Sequence, residues 1–161
     1  MAKSGAKRTN VLRLLDAAGI QYTIREYPVD ESDLSALHAA EKLGMPPERV
    51  FKTLVLQGSS GVYWVCCIPA GEELDLKKTA RAMREKSAAL IPIKDLEPLT
   101  GYIRGGCSPI GMKKKFPTLI DETAELFETI GVSAGTRGMQ IILKPGDLIR
   151  FTGSLTADLT G

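Results

Sequence analysis

A β-hairpin in the middle of the chain constrains the fold more than any other feature of the sequence. Two runs rich in β-forming residues, Val50–Gln57 and Val62–Ile68, flank Gly58-Ser59-Ser60-Gly61, a connection typical of a hairpin. The second run is the most apolar stretch, yet it ends at Pro69 and is far shorter than the roughly 20 residues that a membrane span needs. The hairpin therefore predicts a sheet in a folded domain and no transmembrane segment.

Amphipathic patterns on both sides of the hairpin predict that helices accompany the sheet. The predicted helices run from Thr9 or Asn10 to about Ala18, over about Leu34 to Leu43, from a cap at Asp75 to about Met83, from Ile93 to Leu99, and onward from Pro145. Further strands are predicted at Tyr22–Tyr27, Ala88–Ile91, Thr118–Asp121, Phe127–Val132 and Met139–Leu143. Helices and strands do not alternate regularly, which excludes a doubly wound sheet. We expect one mixed α/β domain over residues 1–161.

The cysteine and histidine content limits the chemistry that the chain can carry. Three cysteines, with Cys66 and Cys67 on opposite faces of a predicted strand, indicate packing residues rather than a disulfide framework. The single histidine, His38, is expected on a helix surface, and it leaves no material for a His-rich metal site or a Ser-His-Asp triad. The first ten residues lack the apolar run of a secretory signal. We expect a cytoplasmic protein without a metal or other cofactor.

Basic residues are unevenly distributed although the formal net charge is only +2. One cluster spans Lys77 to Lys86 and a second is Lys113-Lys114-Lys115, with Arg104 between them. Charged residues of this kind are usually solvated surface groups. The alternative is contact with phosphates, and the charge alone does not identify a nucleic-acid binder.

Lys52 is the most conspicuous candidate for a functional side chain. It interrupts the apolar run Val50-Phe-Lys-Thr-Leu-Val-Leu56, so its ammonium group either reaches solvent or is held in a cleft. In a cleft it would contact a phosphate or polarise a carbonyl group. Cys107 and Ser108 are nucleophiles by residue type, but no base lies near them in the sequence.

Two glycine-rich segments are candidates for binding a ligand through the backbone. Gly105 and Gly106 lie within Gly101–Gly111, and a second loop spans Ser133–Gly138. Glycine lets backbone N–H groups approach a ligand closely, as in oxyanion and phosphate sites. Both patterns also occur in ordinary turns, and neither is a Walker or dinucleotide-binding motif.

Taken together, Val50–Val55, Gly101–Gly111 and Val132–Gly138 resemble the YbaK family of Cys-tRNA(Pro) deacylases, within the superfamily of prolyl-tRNA synthetase editing domains. The resemblance covers nearly the whole chain. It implies a mixed, partly barrel-like β-sheet surrounded by helices, with an active cleft on it. The essential lysine of the family corresponds to Lys52. The substrate-binding residues that the resemblance implies are Tyr27, Gly105, Gly106, Ser108, Ser133 and Gly135.

The resemblance also implies a function and a mechanism. The activity would be trans-editing hydrolysis of mischarged Cys-tRNA(Pro), with Cys-tRNA(Cys) as a further candidate substrate. The cysteinyl thiol would attack its own ester, so the protein would need no nucleophile and no cofactor. Its partners would be the aminoacyl-tRNA and prolyl-tRNA synthetase in a transient complex.

One departure from the family pattern leaves room for a different function. Many relatives carry a His-Asp pair after the tyrosine, whereas this chain has Pro28-Val29-Asp30. A deacylase for Ala-tRNA(Pro), or a broader one, would use water in place of the thiol. The same residues are also compatible with a non-catalytic aminoacyl-tRNA binding module and with a small-molecule hydrolase.

Overall fold

A computed structural model describes residues 8–161, and within them five α-helices surround eight β-strands. The helices are α1 (Asn10–Ala17), α2 (Ala36–Leu43), α3 (Leu76–Met83), α4 (Leu96–Thr100) and α5 (Pro145–Thr152). The strands are β1 (Thr23–Glu26), β2 (Phe51–Gly58), β3 (Tyr63–Pro69), β4 (Ala88–Leu90), β5 (Thr118–Asp121), β6 (Ile130–Ser133), β7 (Met139–Leu143) and β8 (Leu155–Ala157). No helix within this part of the chain is long and apolar enough to cross a membrane.

Side-chain caps determine where the first three helices begin. The Thr9 and Ser35 hydroxyls accept backbone N–H bonds from the first turns of α1 and α2. The Asp75 carboxylate accepts two such bonds at the start of α3. A cap oxygen satisfies N–H groups that lack a partner within the helix, so these residues fix the helix starts. The predicted starts at Thr9 and Asp75 are confirmed, and α2 begins two residues later than predicted because Ser35 caps it.

The strands form two sheets rather than one. Three antiparallel strands in the order β1-β7-β6 make the smaller sheet. The larger sheet has the order β4-β2-β3-β5-β8, with parallel pairs at β3-β5 and β5-β8. The predicted hairpin is the β2-β3 pair, in full register from Phe51 opposite Pro69 to Gln57 opposite Tyr63. The mixed α/β class predicted from the sequence is confirmed.

Within residues 8–161, one isolated β-bridge joins the two sheets. Val50, immediately before β2, pairs in parallel with Gly131 on β6. Beyond this bridge β2 continues beside β3 and β4, whereas β6 continues beside β7. The two sheets therefore diverge on one side of the bridge, and this divergence leaves room for a cleft.

Apolar side chains fill the space between the sheets and the helices. The largest buried cluster packs α1 and α5 against β6 and β7, with Leu12, Ile141 and Leu148 fully buried. A second cluster lies under α3, and a third packs α2 against Val50. Cys67 belongs to the first cluster and Cys66 to the second, which confirms that these neighbours face opposite sides of β3 as packing residues.

Three features of the fold differ from the predicted elements. The strand predicted from Phe127 begins at Ile130, because a 3₁₀ turn over Glu122–Leu126 precedes it. The helix predicted over Ile93–Leu99 is a 3₁₀ turn followed by α4. Strand β8 was not predicted, because its three residues are too few for a recognisable alternation.

Candidate active site

A cleft of about 420 Å³ opens where the two sheets diverge. Its wall includes residues of α2, β2, β6 and β7, together with the segment after β4 and the loop before Cys107. Four of the predicted site residues lie on this wall: Tyr27, Lys52, Gly105 and Ser133. The structure thus brings together residues from four separate parts of the sequence.

The pairing of the strands explains why these side chains converge. The parallel bridge between Val50 and Gly131 places Lys52 level with Ser133, two residues further along each strand. Side chains alternate along a strand, so both lie on the same face as the bridged pair. Ser133 is opposite Gln140 on β7, and Tyr27 extends β1 by donating its N–H to the Gly138 carbonyl at 3.0 Å. The four residues share one continuous surface.

The ammonium group of Lys52 is the main positive charge on the strand floor of the cleft. The side chain is partly buried and, among the described residues, forms no ion pair. Burial lowers the pKa of Lys52, while the charges of Glu73 and Glu72 act in the opposite direction and favour its protonated form. A partly desolvated cation without a fixed partner interacts strongly with negative charge on a ligand.

Gly106 connects the two glycine-rich loops and does not lie on the cleft wall. A Cβ atom at this position would lie 3.0 Å from the Arg137 backbone nitrogen, so only glycine allows the loops to pack this closely. Its N–H donates to the Ile103 carbonyl at 3.0 Å. This donor is therefore already used in the structure, and a role for the Gly106 N–H in stabilising an oxyanion stays a prediction. Gly105 is the member of the pair that faces the cleft.

Ser108 and Gly135 also lie away from the cleft wall. Ser108 is fully buried, and its hydroxyl oxygen accepts the Ile110 N–H at 3.3 Å. Gly135 has a φ of +95° and donates its N–H to the Ser133 hydroxyl oxygen at 3.1 Å. Their contact with substrate stays a prediction. In the structure they shape the loops that carry Gly105 and Ser133.

The cysteine thiols are poor nucleophiles at neutral pH. Cys107 lies on the cleft wall, where burial, reinforced by Cys67, raises the pKa of its thiol to about 12. Burial likewise raises the pKa values of Cys66 and Cys67 to about 12. Because the thiolate is the reactive form, all three groups are protonated and inert near pH 7.

Two polar residues near α2 lie outside the cleft. The expectation of a surface position for His38 is wrong, because its side chain is only 12% exposed, with Nδ1 3.7 Å from an Asp33 carboxylate oxygen. Asp30 accepts hydrogen bonds from the backbone and hydroxyl of Ser32 and so shapes the loop before α2. Neither side chain lines the wall, so neither serves as a base there.

The cleft wall contains residues that the sequence analysis missed. Gln140 faces the cleft from β7, and its position as a polar residue in the apolar strand Met139–Leu143 is the same signal that identified Lys52. Leu90 and Ile93 lie on the wall and are 52% and 62% exposed, respectively. Exposed apolar residues on a cleft are typical of ligand-binding surfaces.

Comparison with known proteins identifies the family. Residues 31–151 match the family described as the aminoacyl-tRNA editing domain. The chain belongs to this family, and the resemblance noted from its motifs is confirmed.

Individual relatives agree with this assignment. The chain is 46% identical over 158 residues to EbsC of Enterococcus faecalis, named provisionally as a Cys-tRNA(Pro)/Cys-tRNA(Cys) deacylase; 98% of this chain and 96% of EbsC are covered. It is 31% identical to YwhH of Bacillus subtilis, covering 81% of this chain and 84% of YwhH. The fold is shared with a crystal structure described provisionally as a trans-editing enzyme for prolyl-tRNA synthetase. The TM-score is 0.82 at 24% identity, and the match covers 96% of this chain and 99% of that chain.

Proposed function

We propose that this protein is a trans-editing deacylase that hydrolyses Cys-tRNA(Pro) in the cytoplasm, with Cys-tRNA(Cys) as a further substrate. The observation that carries the proposal is the position of Lys52 on the cleft floor, level with Ser133 and without an ion-pair partner among the described residues. The name of EbsC, with 46% identity over nearly the full length of both chains, supports cysteinyl-tRNA as the substrate.

The nucleophile comes from the substrate in this mechanism. Cys107 is protonated at neutral pH, and the Ser108 hydroxyl is buried in a turn, so neither supports an acyl-enzyme. The cysteinyl thiol loses its proton to water, and its sulfur then attacks the carbonyl carbon of its own ester. The bond from that carbon to the ribose oxygen breaks, and the oxygen takes up a proton. The released thiolactone is then hydrolysed to cysteine.

Lys52 stabilises the negative charge that this attack creates. The carbonyl oxygen becomes an oxyanion as sulfur bonds to carbon, and an ammonium group held beside it lowers the barrier. The Ser133 hydroxyl, level with Lys52, is a second donor at the same place. The protein therefore contributes orientation and charge, and the substrate contributes the reactive group.

The rest of the tRNA end binds along the same cleft. At about 420 Å³ the cleft is in the size range of sites for drug-sized ligands and exceeds the needs of one amino acid. The exposed apolar wall at Leu90 and Ile93 suits the terminal adenosine, because bases bind between apolar side chains. The exposed Lys113-Lys114-Lys115 cluster would contact phosphates of the acceptor end, without reading bases. A transient complex with prolyl-tRNA synthetase would supply the mischarged tRNA.

Release of labelled amino acid from three charged tRNAs tests the proposal. We expect Cys-tRNA(Pro) to be cleaved much faster than Ala-tRNA(Pro) or correctly charged Pro-tRNA(Pro). Thiolactone should be detectable by mass spectrometry before free cysteine, and Ser-tRNA should react more slowly, since a hydroxyl is far less ionised than a thiol of pKa about 8.5. Equal rates for the cysteinyl and alanyl esters without thiolactone would instead indicate attack by water.

A further inference from the structure

Gln140 presents a buried polar group that no described residue satisfies. The residue is 6% exposed and lies on the cleft wall, on strand β7. Its side-chain oxygen, Oε1, is buried and has no hydrogen-bond partner within residues 8–161. A buried acceptor without a donor is unfavourable, so a protein retains one where a ligand satisfies it or where it has another use.

The strand register places this carboxamide beside the proposed reaction centre. Gln140 is directly opposite Ser133, and Ser133 is level with Lys52 across the bridge between the sheets. The carboxamide oxygen lies over Gly131, since a Cβ there would be 3.5 Å from Oε1, an ordinary van der Waals contact. Lys52 and Gln140 line the same cleft, and both have long side chains that extend from the strands toward a shared ligand.

The charges on the cleft wall limit how a positive group can bind there. Among the described residues that line the cleft, Lys52 and Arg104 are cationic and none is a carboxylate. An aminoacyl ester carries an α-ammonium group, which needs hydrogen-bond acceptors wherever it is bound. Neutral oxygens must then receive it, and the amide oxygen of Gln140 is the one that is buried and without a donor.

We propose that Gln140 binds the α-ammonium group of the substrate and so selects free aminoacyl esters over N-acylated ones. This rests on the proposed deacylase function and adds a specificity determinant to the same site. Rotation about the last side-chain torsion, which is broad, turns the oxygen toward the cleft. The bond from a charged donor is stronger than a neutral one, and the rotation places the side-chain NH2 group where the oxygen was. An N-acyl group abolishes the charge and two donor hydrogens while leaving the thiol free to attack.

Cleavage of Cys-tRNA(Pro) and N-acetyl-Cys-tRNA(Pro) by wild type, Gln140→Leu and Gln140→Glu tests the assignment. Wild type should strongly prefer the free amine. Gln140→Leu should lose about tenfold in kcat/KM on the free amine, as for one hydrogen bond to a charge, and much of the preference. Gln140→Glu retains the acceptor and should retain the preference. Gln57→Leu is the matched control, because Gln57 is exposed on β2, its side chain donates to the Gly61 carbonyl, and it does not line the cleft.

The outcomes separate this inference from the function on which it rests. A wild-type enzyme that cleaves both esters equally would overturn the role of Gln140 and leave the deacylase function intact. If a folded Gln140→Leu variant kept the preference for the free amine, the role of Gln140 would likewise be overturned, since steric exclusion of the N-acyl group would then explain the preference. If the Leu and Glu variants both lost kcat/KM equally on the two esters, Gln140 would instead be assigned to binding the ester carbonyl oxygen through its NH2 group. Absence of cleavage by wild type would overturn the function and the inference together.

Discussion

The strand floor of the cleft and the two glycine-rich loops beside it both carry predicted site residues, but the structure uses them differently. Tyr27, Lys52 and Ser133 come from strands or strand ends and lie on the cleft wall. Of the four substrate-binding residues predicted in the loops, Gly105 lies on it, whereas Gly106, Ser108 and Gly135 hold the loops together. Side chains that project from strands are held more precisely than side chains on loops. The strands are therefore suited to carry reactive groups, and the loops pack beside them.

Replacement of Lys52 by alanine should have the largest effect on activity. We expect kcat to fall about 10²–10³-fold, the usual cost of losing one group that stabilises an oxyanion. The fold should remain, because the side chain belongs to none of the buried clusters. Lys52→Arg should recover only part of the rate, since a planar guanidinium replaces a compact ammonium group. Near-normal turnover by a well-folded Lys52→Ala enzyme would falsify the role of Lys52.

The glycine-rich loops should respond to mutation with a loss of stability. Gly106→Ala introduces a methyl group 3.0 Å from the Arg137 nitrogen and 3.1 Å from the Thr136 carbonyl carbon, both of them backbone atoms that cannot rotate away. We expect a cost of about 1–3 kcal/mol in the free energy of unfolding, measured by urea denaturation. Gly71→Ala is the control and should cost little, since a Cβ there would make only ordinary contacts, at 3.6 and 3.7 Å with side chains. A Gly106→Ala protein as stable as wild type would contradict the packing role.

This contrast also shows how much the sequence could predict. A cation in an apolar strand is unusual and singles out Lys52, and Gln140, a polar residue in the apolar strand β7, carries the same signal. The glycine pair was recognised, but its two members could not be distinguished, because a glycine that approaches a ligand and one that approaches another loop look alike in sequence. The bridge between Val50 and Gly131, which creates the cleft, joins residues too far apart in sequence for any local pattern to indicate.

Candidate nucleophiles from the loops should be dispensable for catalysis. Cys107→Ser and Ser108→Ala should each retain activity within a few-fold of wild type, because the proposed reaction forms no acyl-enzyme. Ser108→Ala should lose about 1 kcal/mol of stability with its bond to the Ile110 N–H. Initial rates and urea denaturation measure the two effects separately. Trapping an aminoacyl adduct on either side chain would overturn the substrate-assisted mechanism.

The smallest expected effect concerns the stability cost of Lys52 itself. Burial lowers its pKa in the folded protein below the unfolded value of about 10.4. The charged side chain therefore opposes folding. This destabilisation is complete at any pH below the pKa of Lys52 in the folded protein, and it disappears above the pKa of Lys52 in the unfolded protein. Lys52→Met should thus be slightly more stable than wild type at pH 7, although it is inactive.

A pH series of thermal unfolding tests the sign of this effect. The gap in Tm between Lys52→Met and wild type should shrink as pH rises through the folded pKa of Lys52, because the wild-type lysine then loses its charge. Lys77→Met is the control, since Lys77 is exposed on α3, and its gap should stay constant. A Lys52→Met gap that widened with pH would mean that the Glu73 and Glu72 charges outweigh burial. Lys52 would then stabilise the fold, as Gly106 does. The strand floor and the loops would in that case differ in their effect on activity but not in their effect on stability.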